Sequence, residues 1–119
     1  MPNGRKVGIY MKLVFAIVSN DDATTVMREL NKESFQVTKL ASTGGFLRVG
    51  NVTLLVGTEE EKVEKAIEVI SKFSAKRKQV VFSGEPYIGA TTGYMSFPTE
   101  IEVGGATIFV IDVERFEKV

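Results

Sequence analysis

Residues 12–18, Lys-Leu-Val-Phe-Ala-Ile-Val, decide the fold, because after the first residue the stretch is apolar at both alternating sets of positions. Side chains of a strand point alternately to the two faces of a sheet, so this run predicts a strand that is covered on both faces. A chain of 119 residues supplies one core and one layer of helices. We therefore expect another subunit to cover the second face.

Two amphipathic helices are predicted on either side of a pair of strands. The first follows an N-cap cluster at residues 20–22 (Asn-Asp-Asp), and its apolar stripe has helical spacing: Ala23, Val26, Met27 and Leu30. The second follows a capping box from Thr58 to Glu61, and residues 76–78 (Lys-Arg-Lys) are expected to close it. Its stripe is formed by Val63, Ala66, Ile67 and Ile70.

The remaining strands are predicted from alternation and from turn residues. They fall at residues 35–41, 52–57, 80–82, 100–103 and 106–113, with Gly104-Gly105 as a hairpin turn. The order β-α-β-β-α-β predicts an α+β fold of the ferredoxin-like split βαβ type, with an appended C-terminal hairpin. Two helices would cover one face of its antiparallel sheet. Residues 11–119 are expected to form a single domain, and residues 1–10 a disordered or non-native extension, because Met11 directly precedes the first strand.

Composition restricts the possible chemistry. The chain has no Cys and no His, so thiolate and histidine metal sites and Ser-His-Asp or Cys-His catalysis are excluded. The 15 basic and 15 acidic residues balance, which argues against a nucleic-acid or membrane-surface binder. We expect a cytoplasmic binding protein without catalytic residues, metal or cofactor. The first residues lack the apolar core of a signal peptide.

Two loops are candidate binding elements. Residues 43–51 (TGGFLRVGN) are rich in glycine, which suits either a tight hairpin loop or a cradle for an anionic ligand. Phe46 and Leu47 at the tip favour a ligand or partner that stacks on them. Residues 83–93 form a second long loop, with Tyr87, Thr91 and Thr92 as polar groups, and a plain surface loop is an equally good interpretation. Asp21 and Asp22 are interpreted as helix caps.

Two sequence strings resemble a known family. Residues 38–51 (TKLASTGGFLRVGN) and 100–107 (EIEVGGAT) look like the PII-like cyclic-di-AMP receptor family, and the resemblance runs from Met11 to about Phe116. It implies a homotrimer with a PII-like core, a cyclic dinucleotide in each cleft between subunits, and two loops that signal to a downstream protein partner. The family's ligand contacts correspond here to Thr38, Gly45, Phe46, Leu47, Asn51 and Gly57.

The sequence departs from the family at two ligand positions. Gln36 stands where well-known members carry Arg, and Lys118 stands where they carry Gln; we retain both as candidate contacts. These departures leave a second ligand open, namely another adenine nucleotide such as ATP. A structural trimeric adaptor without a nucleotide is a further alternative. An enzyme that uses lysines or carboxylates is the least favoured, because no base is placed beside a nucleophile in the sequence.

Overall fold

The computed structural model describes residues 10–40, 50–83 and 97–119. Helices and strands follow one another in the order β1 (Met11–Ser19), α1 (Asn20–Lys32), β2 (Val37–Leu40), β3 (Asn51–Glu59), α2 (Val63–Ser74), β4 (Arg77–Ser83), β5 (Phe97–Val103) and β6 (Ala106–Asp112). A single turn of 3-10 helix, Glu60–Lys62, leads from β3 into α2.

Four strands form the main sheet in the order β2-β3-β1-β6, and every neighbouring pair is antiparallel. The long β1–β3 ladder runs from Met11 opposite Glu59 to Ser19 opposite Asn51. Strands β4 and β5 pair with each other in a separate two-stranded sheet, which we call the arm. The predicted α+β fold, with its split βαβ pattern, is confirmed, and the strand hairpin toward the C-terminus is formed by β4 and β5.

One face of the main sheet and the two helices enclose the core. Val14, Ala16 and Val18 of β1 alternate with partly exposed residues and are almost completely buried. They pack in one cluster with β3 and with the apolar stripes of the helices: Ala23, Val26, Leu30, Leu54, Val56, Val63, Ala66, Val69 and Ile70. The predicted stripes are therefore confirmed. Met27 and Ile67 lie at the margin of the cluster.

The opposite face of the main sheet, which we call the open face, is apolar, and no helix or strand within residues 10–40, 50–83 and 97–119 covers it. Strand pairing places Leu13, Phe15 and Ile17 of β1 on this face, next to the open-face residues of β3 and β6. Phe109 and Ile111 of β6 keep 54% and 47% of their surface exposed. The run at residues 12–18 is thus apolar toward both faces, as the sequence predicts, but helices cover only one of them.

Helix α1 begins and ends with side-chain and backbone caps. Its N-cap is Ser19, whose Oγ accepts a hydrogen bond from the Asp21 backbone nitrogen at 3.1 Å; the predicted cap at residues 20–22 is wrong, because those residues already belong to the helix. At the other end Ser34 and Phe35 donate to the carbonyls of Asn31 and Leu30, which is a Schellman motif. This motif places Ser34 at a φ of 70°, a conformation that glycine and asparagine adopt more readily.

Three local predictions are corrected. Thr58 does not cap α2, because it pairs with Lys12 in the β1–β3 ladder and the helix begins only at Val63. The basic run does not close α2, which ends at Ser74, so that Arg77 opens β4. Gly104-Gly105 has the positive φ values of a tight turn, 84° and 90°, but it joins β5 to β6, which belong to different sheets.

Candidate functional site

Three of the predicted ligand contacts come together at one edge of the main sheet. In the β2–β3 ladder Thr38 lies opposite Leu55 and Val37 opposite Val56, and the register continued by one residue beyond the ladder puts Gln36 opposite Gly57. Residues at alternating positions share a face, and Gln36, Thr38 and Gly57 all belong to the open face. All three are exposed. We call these three residues the edge patch.

Among the residues that the structure describes, no contact or backbone angle requires glycine at position 57. A Cβ atom built on it meets nothing within 4 Å, and its φ is not positive, so a side chain would be neither crowded nor strained. Glycine in the interior of a strand weakens the strand and often marks a place where another group approaches closely. The bare backbone at Gly57 is therefore available for a ligand or for a neighbouring chain.

Asn51 lies at the other end of the same strand. It is the first residue of β3 and pairs with Ser19, while Gly57 is the seventh residue of the strand. At the rise of an extended strand the two positions are about 20 Å apart. Just before Asn51, the Gly50 carbonyl accepts a hydrogen bond from the Asn20 backbone nitrogen at 2.6 Å, and Gly50 has a φ of 94°. The described contacts thus form two separate groups.

The other predicted site residues are not brought into either group. Gly45, Phe46 and Leu47 lie outside the residues that the structure describes, as do the second-loop residues Tyr87, Thr91 and Thr92. Lys118 is exposed and follows β6, which is the opposite edge strand of the sheet from β2. Within one chain, no contact among the described residues brings Lys118 to the edge patch.

A family model described as cyclic-di-AMP receptor matches residues 11–119. The chain belongs to the cyclic-di-AMP receptor family. The suspected family is thereby confirmed, and membership of a receptor family indicates nucleotide binding and signalling. Among solved structures, this receptor-family chain is similar to a functionally unknown protein from Pediococcus pentosaceus ATCC 25745. The two share 37% sequence identity and superpose with a TM-score of 0.72 over 92% of this chain and 98% of the other.

Sequence reasoning missed an ion pair that joins helix α1 of this receptor-family chain to the arm. The side chain of Asp22 is only 9% exposed, and Arg77 donates to both of its oxygens, from Nη2 at 2.8 Å and from Nη1 at 3.3 Å. The hydrogen bond with Asp22 raises the pKa of the Arg77 guanidinium. Asp22 is thus a buried partner of Arg77 and not a helix cap. No local pattern could reveal a pair whose members lie 55 residues apart.

A second ionic group fastens the edge of the main sheet. Lys12 of β1 forms ion pairs with Asp112 of β6 and with Glu60, the latter at 3.4 Å. The hydrogen bond to Asp112 is the main cause that raises the pKa of Lys12. In the ranges 10–40, 50–83 and 97–119, no three carboxylates converge as a metal site would require. Over the same ranges, no helix has the length and apolar character needed to cross a bilayer.

Proposed function

We propose that this chain binds cyclic di-AMP in the clefts between the subunits of a PII-like homotrimer and passes the bound state to a downstream protein. The described contacts would be Gln36, Thr38, Asn51 and Gly57. The residues predicted from sequence alone complete the set: Gly45, Phe46, Leu47 and Lys118. The first four supply amide, hydroxyl and backbone groups that can hydrogen-bond to phosphate oxygens or to adenine edges.

The observation that carries the proposal is the bare backbone at Gly57. An exposed glycine on the open face, beside a hydroxyl and an amide and with no described atom near its Cβ position, is suited to the close approach of a flat base or a phosphate. Thr38 on β2 and Gln36 just before β2 lie beside it, so a ligand there would meet a hydroxyl and an amide within one small area. Each such neutral bond contributes about 0.5–1.5 kcal/mol net.

The open face supports a trimer. It carries apolar side chains on all four strands of the main sheet, and soluble monomers rarely expose contiguous apolar surfaces of this kind. The contributing side chains are Leu13, Phe15, Ile17, Leu40, Leu55, Phe109 and Ile111. Burial of one large apolar side chain contributes about 1.5–3 kcal/mol. Packing of the open faces against one another would therefore stabilise the assembly by several such increments.

The distance between the two groups of contacts also favours a site between subunits. Asn51 and the edge patch stand about 20 Å apart along β3, which is too far for neighbouring contacts to one phosphate or one base. A cleft that combines Asn51 from one subunit with the edge patch of the next would bring both groups to the same ligand. Such a heterologous arrangement closes into a ring in a trimer.

The substitution Gly57→Ala tests the site. It adds one methyl group into open space, so we expect the melting temperature and the oligomeric state to be unchanged, while calorimetric affinity for cyclic di-AMP falls by about tenfold or more. Ser71→Ala, on the exposed side of α2, is the matched control and should retain native affinity. An unchanged affinity in the Gly57→Ala variant would show that no ligand approaches this backbone.

One observation favours a second candidate ligand. Gln36 and Lys118 depart from the family at two ligand positions, so another adenine nucleotide such as ATP is the second candidate for this site. Competition titrations separate the two. Displacement of labelled cyclic di-AMP only by large excesses of ATP supports the first ligand, and the reverse order supports the second. No binding of either would leave a structural adaptor.

A further inference from the structure

The ion pair between Asp22 and Arg77 joins helix α1 to the arm. Asp22 is in the first turn of α1, and Arg77 is the first residue of β4 and thus the base of the arm. The carboxylate is nearly buried and receives two hydrogen bonds from one guanidinium. The pair resists separation, because loss of the Arg77 contact leaves the Asp22 carboxylate as an uncompensated charge away from water.

Strand β5, the other strand of the arm, ends beside the Arg77 guanidinium. Gly104 follows β5, and a Cβ atom on it would lie 2.6 Å from Arg77 Nη1 and 2.6 Å from the Ala75 carbonyl oxygen. Arg77 Nη1 donates to that carbonyl at 3.1 Å. The Gly105 backbone nitrogen donates to the carbonyl of Ser74, the last residue of α2. The start of β4 and the residues that follow β5 therefore both contact the helices beside the Arg77 guanidinium.

The first turn of α1 also reaches the start of β3. Asn20, the first residue of the helix, donates its backbone N–H to the Gly50 carbonyl, and Ser19 pairs with Asn51. We call Gly50 and Asn51 the loop junction. A continuous series of contacts thus runs from the loop junction through Asn20 and Asp22 to Arg77. An α-helical turn is stiff, so a displacement at Asn20 moves the Asp22 carboxylate with it.

We propose that the Asp22–Arg77 ion pair couples the loop junction to the arm, so that a change at Gly50 or Asn51 alters how firmly the arm is held to α1. An isolated two-stranded hairpin is marginally stable in water, so the ion pair at the base of the arm controls how often its strands separate. The coupling is a property of the unliganded chain. The use of this coupling in signalling rests on the proposed function, in which Asn51 contacts the ligand.

Amide hydrogen exchange measures the local stability of the arm directly, because exchange rates report local opening. Asp22→Asn keeps the size of the side chain and removes its charge. We expect it to speed exchange in residues 77–83 and 97–103 by about fivefold or more, with β1 and β3 within about twofold of the native chain. Lys78→Gln, which breaks the exposed pair with Glu100 in the same arm, is the matched control and should leave exchange unchanged. Unchanged exchange in the arm, or an equal rise throughout the chain, would overturn the proposal.

The coupling is tested by combining two changes in the unliganded protein. Gly50→Ala forces a side chain onto a φ of 94° and so disturbs the loop junction. We expect it to speed exchange in the arm of the native chain but to add nothing in the Asp22→Asn background. Equal effects in both backgrounds would show that the ion pair does not carry the coupling. Arg77→Lys, which keeps the charge and loses the two-pronged contact, serves as a milder second background if Asp22→Asn prevents folding.

Failure of the proposed function is distinguishable from failure of this inference. If cyclic di-AMP does not bind, the proposed function falls, while the exchange results on the unliganded chain still decide the coupling. If the ligand binds but the arm exchanges at the same rate in all variants, the coupling falls and the receptor function stands.

Discussion

Restoring a positive charge at position 36 should tighten the binding of cyclic di-AMP. Gln36 is exposed, precedes β2 and neighbours Gly57 on the open face, so the substitution Gln36→Arg brings a guanidinium to the edge patch without entering the core. An exposed substitution of this kind changes the free energy of unfolding by less than about 0.5 kcal/mol. The effect on ligand affinity can therefore be measured without a confounding effect on folding.

The size of the gain follows from the kind of contact. A hydrogen bond with a charged group contributes about 1.5–3 kcal/mol, and about 1.4 kcal/mol corresponds to a tenfold change in affinity. We expect the Gln36→Arg variant to bind about ten- to hundredfold more tightly. Screening acts over about 8 Å at physiological ionic strength, so the gain should lie near the lower end there and increase as salt is removed.

The assay is calorimetric titration of cyclic di-AMP at several salt concentrations. Gln79→Arg is the matched control, because it adds the same charge at an exposed position on β4, in the arm. We expect it to change affinity by less than about twofold. The reasoning is refuted if Gln36→Arg leaves the affinity unchanged or weaker, or if Gln79→Arg gives an equal gain, which would indicate a general effect of net charge.

Three further predictions concern packing, assembly and stacking. Ser34→Gly should raise the free energy of unfolding by up to about 1 kcal/mol in chemical denaturation, because Ser34 has a positive φ, whereas the same change at the neighbouring Glu33, whose φ is −92°, should lower it. Phe109→Asp should convert the proposed trimer to monomers in sedimentation velocity, since it places a charge on the open face; a stable trimer would show that this face is not the interface. Phe46→Ala should weaken cyclic-di-AMP binding by about tenfold in fluorescence titration through loss of about 1–3 kcal/mol of stacking, and native affinity would exclude Phe46 as a stacking platform.

The elements that sequence predicts well are those specified by short-range periodicity. The apolar spacing of Ala23, Val26 and Leu30 suffices for one face of α1, and the run at residues 12–18 suffices for a strand with two apolar faces. In each case the side chains that share a face are only a few residues apart along the chain. Burial then follows from the pattern itself.

The incorrect predictions involve local signals that tertiary contacts override. The capping pattern at Thr58 is overridden by pairing with Lys12 in the β1–β3 ladder. The positive φ values at Gly104 suit either a hairpin or a link between two sheets, and only the pairing of β5 with β4 distinguishes them. Asp22 has the residue type of a helix cap, but its partner Arg77 is distant in sequence.

The residues of the candidate site could be predicted from the sequence, but their arrangement in space could not. The resemblance supplies Gln36, Thr38 and Gly57 as separate positions, and their union in one patch depends on the β2–β3 register, which the sequence does not specify. The structure also separates Asn51 from that patch along β3. This separation gives a physical reason, independent of the resemblance, to look for the site between two chains.

The most direct test of the proposed function is the stoichiometry of cyclic-di-AMP binding to the assembled protein. Calorimetric titration of the full chain, with the oligomeric state fixed beforehand by sedimentation, should give one ligand for each subunit of a trimer. Gly57→Ala should reduce the affinity without dissociating the trimer. Absence of binding at high protein concentration, or full binding to a monomer, would contradict the account.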